Sequence, residues 1–153
     1  MRDGYTPFNL WQNCCDLYIM DNTNNTRGTV LIVDDDEDLL ILIQHALFVE
    51  GYDPICSPNG VNIMSIVTRK RPDIVLLDIH MNGTDGITIC KELKRNPETA
   101  STPVIMFSAN ENIKAVSLEC GADGYITKPF KTDDFRETLR RVLFERQSLH
   151  PPL

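Results

Sequence analysis

Thr29-Val30-Leu31-Ile32-Val33-Asp34-Asp35-Asp36 is the stretch that decides the fold. The apolar run Val30–Val33 is short and continuous, the pattern of a strand buried on both faces of a parallel sheet. It stops abruptly in carboxylates. Three further runs end in the same manner: Ile74–Leu77 at Asp78, Val104–Phe107 at Ser108, and Tyr125–Thr127 at Lys128-Pro129. If the four runs are parallel strands of one sheet, a carboxylate cluster, a hydroxyl and an amine meet at one edge. That set suits a divalent cation and a phosphoryl group.

Helical segments fill the spaces between these runs. The pattern predicts helices over Asp38–Val49, Val61–Arg69, Gly86–Arg95 and Glu111–Glu119. Gly51 and Gly121 serve as stops, and Pro97 and Pro103 bracket a loop. Tyr52–Cys56 reads as a weaker strand and Ser57-Pro58-Asn59-Gly60 as a turn. Thr132 caps a last helix whose Phe135, Leu139, Val142 and Leu143 share one face. β-α thus repeats five times within about 120 residues. This predicts an α/β fold, a doubly wound five-stranded parallel sheet covered on both faces. Ligands of such sheets sit at the carboxyl ends of the strands, where the four motif residues fall.

The length of 153 residues suits one domain with a full core. A net charge of −7 argues against nonspecific nucleic-acid binding and against anionic membranes. No apolar run reaches the 18 or so residues of a membrane span, and no secretory signal is expected. The five cysteines, Cys14, Cys15, Cys56, Cys90 and Cys120, lack metal-ligand spacing, so reduced thiols in a cytoplasmic protein are expected. Residues 1–28 read as a flexible extension, with the polar stretch Asn22-Thr23-Asn24-Asn25-Thr26 and Met20 as an alternative start. The functional reading of Phe8–Met20 is a short helix that docks on the domain or on a second copy. Residues 29–147 form the expected domain and residues 148–153 a tail.

Gathered carboxylates repel one another and raise each other's pKa values, a penalty that a hard cation removes. Carboxylates with water and a phosphate oxygen are the usual setting for Mg2+. Asp35 and Asp78 are the expected direct ligands, joined by a backbone carbonyl from the loop after Asp78, at His80; Asp34 would hold a metal-bound water. Asp36, Glu37 and Asp38 read as a solvated acidic helix start. Asp78 is the candidate nucleophile toward phosphorus, Lys128 a neutralising point charge, and Ser108 a hydroxyl donor to a phosphoryl oxygen.

With these motifs assembled, the sequence resembles the receiver domain of bacterial and archaeal two-component response regulators over about Thr29–Gln147. The resemblance rests on Val30–Asp36, Ile74–Asp78, Asp85-Gly86, Phe107-Ser108-Ala109 and Gly121–Phe130. It implies a flavodoxin-like (βα)5 fold with strand order 2-1-3-4-5. It implies that Asp78 is the phosphoacceptor, that Asp34 and Asp35 are the acidic pair around Mg2+, and that Lys128 is the active-site lysine, with a Lys128–Pro129 bond that is often cis. Ser108 falls at the Ser/Thr switch position and Tyr125 at the aromatic one. The implied partners are a sensor histidine kinase or phosphotransfer protein, which donates the phosphoryl group, and a downstream protein. That protein would read a face built from about Asn110–Cys120, Gly124–Thr127 and Thr132–Gln147. A phosphorylation-dependent homodimer is a further implied partner, bridged by Arg136, Arg140 and Arg141, although a solvated helix face is the simpler reading of those arginines. One departure stands out. Asn82 occupies a position where the family usually has proline, which predicts a looser loop around His80 and a weaker metal site.

Other classes fit less well. A receiver cut from a hybrid kinase or larger regulator shares every motif. A haloacid-dehalogenase-type phosphatase needs a second aspartate two residues after the nucleophile, where His80 stands. A flavodoxin-like cofactor binder needs a Ser/Thr/Gly-rich phosphate loop where this chain has three aspartates. A receiver that is never phosphorylated would lack one of the acidic, hydroxyl or lysine positions, and all are filled. The expected protein is therefore not an enzyme in the ordinary sense, since it catalyses only its own phosphorylation and dephosphorylation.

Overall fold

The structure is a computed structural model that describes residues 26–149. The expected Phe8–Met20 helix and the tail beyond 149 lie outside the described residues. Five parallel strands form the main sheet: β1 (Thr29–Val33), β2 (Asp53–Ser57), β3 (Ile74–Asp78), β6 (Val104–Ser108) and β7 (Gly124–Thr127). Two short strands, β4 (His80–Met81) and β5 (Thr84–Asp85), pair antiparallel just after β3. The main sheet runs β2-β1-β3-β6-β7, which is the order 2-1-3-4-5 when its own strands are counted. Between the strands lie α1 (Glu37–Val49), α2 (Ile63–Lys70), α3 (Gly86–Arg95), α4 (Ile113–Cys120) and, after β7, α5 (Thr132–Leu149).

Alternation along the strands divides the core into two layers. Leu31, Val33, Val75, Leu77, Val104 and Met106 face α2, α3 and α4, packing on Ile63, Val67, Ile89, Leu93 and Ile113. Val30, Ile32, Ile74, Leu76, Ile105 and Phe107 face α1 and α5, packing on Leu40, Ile43, Leu47, Phe135, Leu139 and Val142. Both faces of the sheet are covered, so the central strands carry unbroken apolar runs. β2 lies at one edge and is only half-buried until Ser57, which is why its sequence signal is weaker.

Helix starts differ from the sequence reading by a residue or two, for local reasons. Asp36 is the N-cap of α1 and accepts from the Leu39 N–H at 3.1 Å, so the helix begins at Glu37. α2 begins at Ile63 because Asn62 adopts φ 61°, and the Val61 N–H is taken by the Asn59 side chain. α5 extends to Leu149, past Gln147.

At the amino ends of the strands, two aspartates fasten the helices to the sheet. Asp123 accepts from the Val104 N–H and pairs with Lys94 of α3 at 2.6 Å. Asp73 accepts from the Thr29 N–H, and the Arg146 guanidinium of α5 donates to its carbonyl. The opposite, carboxyl end is left to carry the site. No helix among the described residues is long and apolar enough to cross a membrane.

Candidate functional site

β1 and β3 are neighbours in the sheet, so Asp34 and Asp78 emerge side by side at its carboxyl edge. Both are almost fully buried, at 1% and 5% exposure. The Lys128 ammonium donates to both carboxylates, 2.7 Å from Asp34 Oδ2 and 3.0 Å from Asp78 Oδ1. Its backbone is held in turn: the Lys128 N–H donates to the Ser108 carbonyl at 2.9 Å, and the Lys128–Pro129 bond is cis. The ammonium also lies 4.3 Å from the centroid of the Phe107 ring, a cation–π contact. Phe130 packs edge-on against Phe107 and stacks on Phe135, which ties the segment after the lysine to α5.

Each acidic neighbour has a backbone donor. Asp34 Oδ1 accepts from the Asp36 N–H at 2.8 Å. Asp35 Oδ2 accepts from the Asn82 N–H, also at 2.8 Å. Oxygen atoms of Asp34, Asp35 and Asp78 lie within 4.8 Å of one another. One ammonium among three carboxylates leaves excess negative charge. Burial pushes the Asp78 carboxyl above its ordinary value; Lys128 pulls it down, and Asp34 and Asp35 push it up again. Burial works against the Lys128 charge, yet Asp34 and Asp78 more than offset this and hold its pKa above the ordinary lysine value. An all-oxygen, negatively charged cradle fits a hard divalent cation such as Mg2+.

The remaining expected site residues are arranged around this centre. Ser108 ends β6 beside β3 and is buried; its hydroxyl oxygen accepts from the Asn110 N–H at 3.2 Å. Tyr125 on the edge strand β7 is 39% exposed. His80 carries an exposed side chain, and its backbone pairs with Asp85 in the β4–β5 hairpin.

The β4–β5 hairpin closes the loop after Asp78, and the Asn82 N–H ties its tip to Asp35. A proline there has no N–H to give. Arg136 Nε lies 2.6 Å from Glu50 and Arg140 3.7 Å from it, while Arg141 pairs with Glu145.

Three contributors escaped the sequence reading. The Phe107 ring under the ammonium looked like ordinary core, because its position is the last of an apolar run. The Asn82 N–H is a backbone group and leaves no residue-type signal. Gly86 is the third: a Cβ there would lie 2.0 Å from the Asp78 carbonyl oxygen, so only glycine lets α3 start this close to β3. Its signal was the Asp85-Gly86 pair, in which Asp85 caps α3 by accepting from the Ile87 and Thr88 N–H groups.

Known proteins share this fold. The family described as response regulator receiver domain matches residues 30–140. The receiver domain of a signal transduction histidine kinase from Syntrophus aciditrophicus is 32% identical, with 77% of this chain and 91% of that one covered and a TM-score of 0.70. Chemotaxis protein CheY4 of Vibrio cholerae is 26% identical, covering 75% of this chain and 98% of that one, with a TM-score of 0.69. NtrX of Brucella abortus is 28% identical; the match spans 79% of this chain but 28% of that longer one, with a TM-score of 0.72. The match over residues 30–140 agrees with the β2-β1-β3-β6-β7 sheet: this chain is a member of the response regulator receiver family.

Proposed function

We propose that the protein is a phosphoacceptor in a two-component phosphorelay, with Asp78 as the acceptor. The observation that carries this reading is the Asp78 carboxylate at the sheet edge, paired to Lys128 at 3.0 Å and clustered with Asp34 and Asp35. Asp78 is a nucleophile poised by position: β3 fixes its backbone, and the Lys128 contact fixes one carboxylate oxygen, leaving the other for attack. The donor is a phosphohistidine on a sensor kinase or phosphotransfer protein. A carboxylate oxygen of Asp78 forms the new bond to phosphorus, the phosphorus–nitrogen bond breaks, and the leaving imidazole takes up a proton. Asp34, Asp35 and Asp78, with the His80 carbonyl, are the residues that would hold Mg2+; the ion supplies charge neutralisation for the transferring phosphoryl group.

After transfer, Lys128 is free to turn its ammonium from the Asp78 carboxylate to a phosphoryl oxygen, keeping Asp34 as its second partner. The Ser108 hydroxyl, buried beside Asp78, reaches for another. Tyr125, exposed in the present arrangement, is the surface group whose packing follows that of Ser108. The readout face is α4, β7 and α5. A receiver built into a longer regulator or kinase would use the same residues, as the match within NtrX illustrates. We place the action of the protein in the cytoplasm, with no direct nucleic-acid or membrane contact, in keeping with its net charge of −7.

Incubation with Mg2+ and acetyl phosphate followed by intact-mass measurement tests the proposal. A phosphate-sized gain is expected in the wild type, absent from Asp78→Asn and absent without Mg2+. No gain in the wild type, together with no binding of beryllofluoride, would overturn it.

A further inference from the structure

Cys90 and Cys120 are buried together in the core layer shared by α2, α3 and α4, at 0% and 3% exposure. Both are thiols, and neither belongs to the site at the carboxyl edge of the sheet. Cys90 lies within α3, and Cys120 is the last residue of α4, 30 positions further on. The Cys90 thiol donates to the Cys120 carbonyl at 3.5 Å, and the Cys120 thiol donates to the Ser117 carbonyl at 3.4 Å.

The next turn of α3 repeats the contact. A Cβ on Gly121 would lie 3.6 Å from Lys94 Cγ, and Lys94 follows Cys90 by one turn on the same helix face. Lys94 in turn pairs with Asp123 at 2.6 Å, which holds the chain after α4 against α3. Cys90 and Cys120 therefore meet at a junction that is already fastened beside them.

The two thiols also set each other's ionisation. Their shared hydrogen bond pulls the Cys120 thiol down to about 7, against the opposing effect of burial. The same bond, together with burial, pushes the Cys90 thiol up. One sulfur thus forms a thiolate near neutral pH while its neighbour keeps its proton. An attacking thiolate with a second thiol against it is the arrangement that peroxide-sensing pairs require. Cys120 sits between exposed Glu119 and Gly121 at a helix end, where local opening is easiest, and peroxide is small enough to use such an opening.

We propose that Cys90 and Cys120 are oxidised by hydrogen peroxide to a reversible disulfide that fastens the last turn of α4 to α3. The Cys120 thiolate attacks one peroxide oxygen. The S–O bond forms, the O–O bond breaks, and the departing hydroxide takes up a proton to leave as water. Cys90 then attacks the sulfenic sulfur of Cys120. The S–S bond forms, the S–O bond breaks, and the hydroxyl leaves as water with the Cys90 proton. The two thiols together lose two electrons, which the peroxide gains, and a dithiol reductant reverses the linkage by exchange. Neither step uses Mg2+ or a phosphoryl group, so its failure leaves the role of Asp78 untouched.

The full chain, kept in chelator, is treated with excess hydrogen peroxide, quenched, unfolded in iodoacetamide, digested and mapped by mass spectrometry. The Cys90 peptide is expected joined to the Cys120 peptide, lacking two hydrogens. The link should form with the circular dichroism of the folded domain retained, and dithiothreitol should remove it. In Cys90→Ala the reaction should stop at the sulfenic acid, giving a dimedone adduct on Cys120. In Cys120→Ala, labelling of Cys90 should be several-fold lower. If either variant fails to fold, the wild-type map decides by itself. Both thiols still open to alkylation after peroxide would overturn the proposal. So would a link that forms only in denaturant, or pairing of either residue with Cys14, Cys15 or Cys56 in place of the other.

Discussion

Replacing Asn82 with proline removes one hydrogen bond and little else. Gly83 has φ +75°, and among the described non-glycine residues only Asn62 and Arg71 have positive φ. Asn82 therefore sits at negative φ before a left-handed glycine, an arrangement compatible with a type II turn, where proline fits the first central position. What is lost is the N–H that donates to Asp35 Oδ2 at 2.8 Å. A net hydrogen bond to a charged group contributes about 1.5–3 kcal/mol, and solvent at this exposed loop reduces that to about 1 kcal/mol. Because the bond orients Asp35 toward the other carboxylates, its loss should weaken Mg2+ binding by about 1 kcal/mol, or about fivefold in Kd. Calorimetric titration with magnesium chloride measures this directly. Asn82→Ala is the control: it keeps the backbone N–H and should bind as the wild type does. Equal or tighter binding by Asn82→Pro would refute the orienting role and restore the view of Asn82 as a loosening substitution. Equal weakening by Asn82→Ala would transfer the effect to the side chain.

Three other perturbations follow from the same geometry. Gly86→Ala places a Cβ against the Asp78 carbonyl, forcing α3 and β3 apart; we expect a loss of about 1–3 kcal/mol in denaturant unfolding and slower phosphorylation by acetyl phosphate. Lys128→Met leaves Asp34 and Asp78 buried without their cation, which should cost about 3 kcal/mol; the midpoint should recover in part with Mg2+, and an unchanged midpoint without Mg2+ would contradict the charge accounting. Asp78→Asn should raise the unfolding midpoint in chelator. The sign follows from the raised pKa of Asp78, since ionisation then favours the unfolded chain. The advantage of the asparagine variant should be absent at pH below the ordinary aspartate value, where both states are protonated. It should grow as pH rises toward the folded-state pKa and stay constant above it; an advantage that shrank with rising pH would reverse the assignment.

The contrast between what the sequence disclosed and what it hid has a physical basis at this site. Val30–Val33 and Ile74–Leu77 were legible because strands covered on both faces must be apolar at every position, and the first carboxylate then marks the sheet edge. Edge strand β2 and the start of α2 were less so. β2 is half-buried, and the α2 start depends on the left-handed Asn62 and an Asn59 side-chain bond that compete locally with helix. Within the site, Asp34, Asp35, Asp78, Ser108 and Lys128 stood out because polar side chains at buried strand ends are unusual. The groups that hold them did not stand out. The Asn82 N–H belongs to every residue but proline, the Phe107 ring is indistinguishable from core until Lys128 lies against it, and the space over Asp78 is known only as the absence of a Gly86 side chain. The support of the loop around Asn82 was hidden for the same cause. Proline's stiffness is a property of the residue type and can be read from sequence, whereas the hydrogen bond that replaces it joins residues 47 positions apart and exists only once β1 and β3 lie side by side. The polar side chains of this site are therefore written in residue types, and their support is written in backbone and space. Substitutions at Asp78 or Lys128 test the chemistry, while those at Asn82 and Gly86 test whether the fold delivers it.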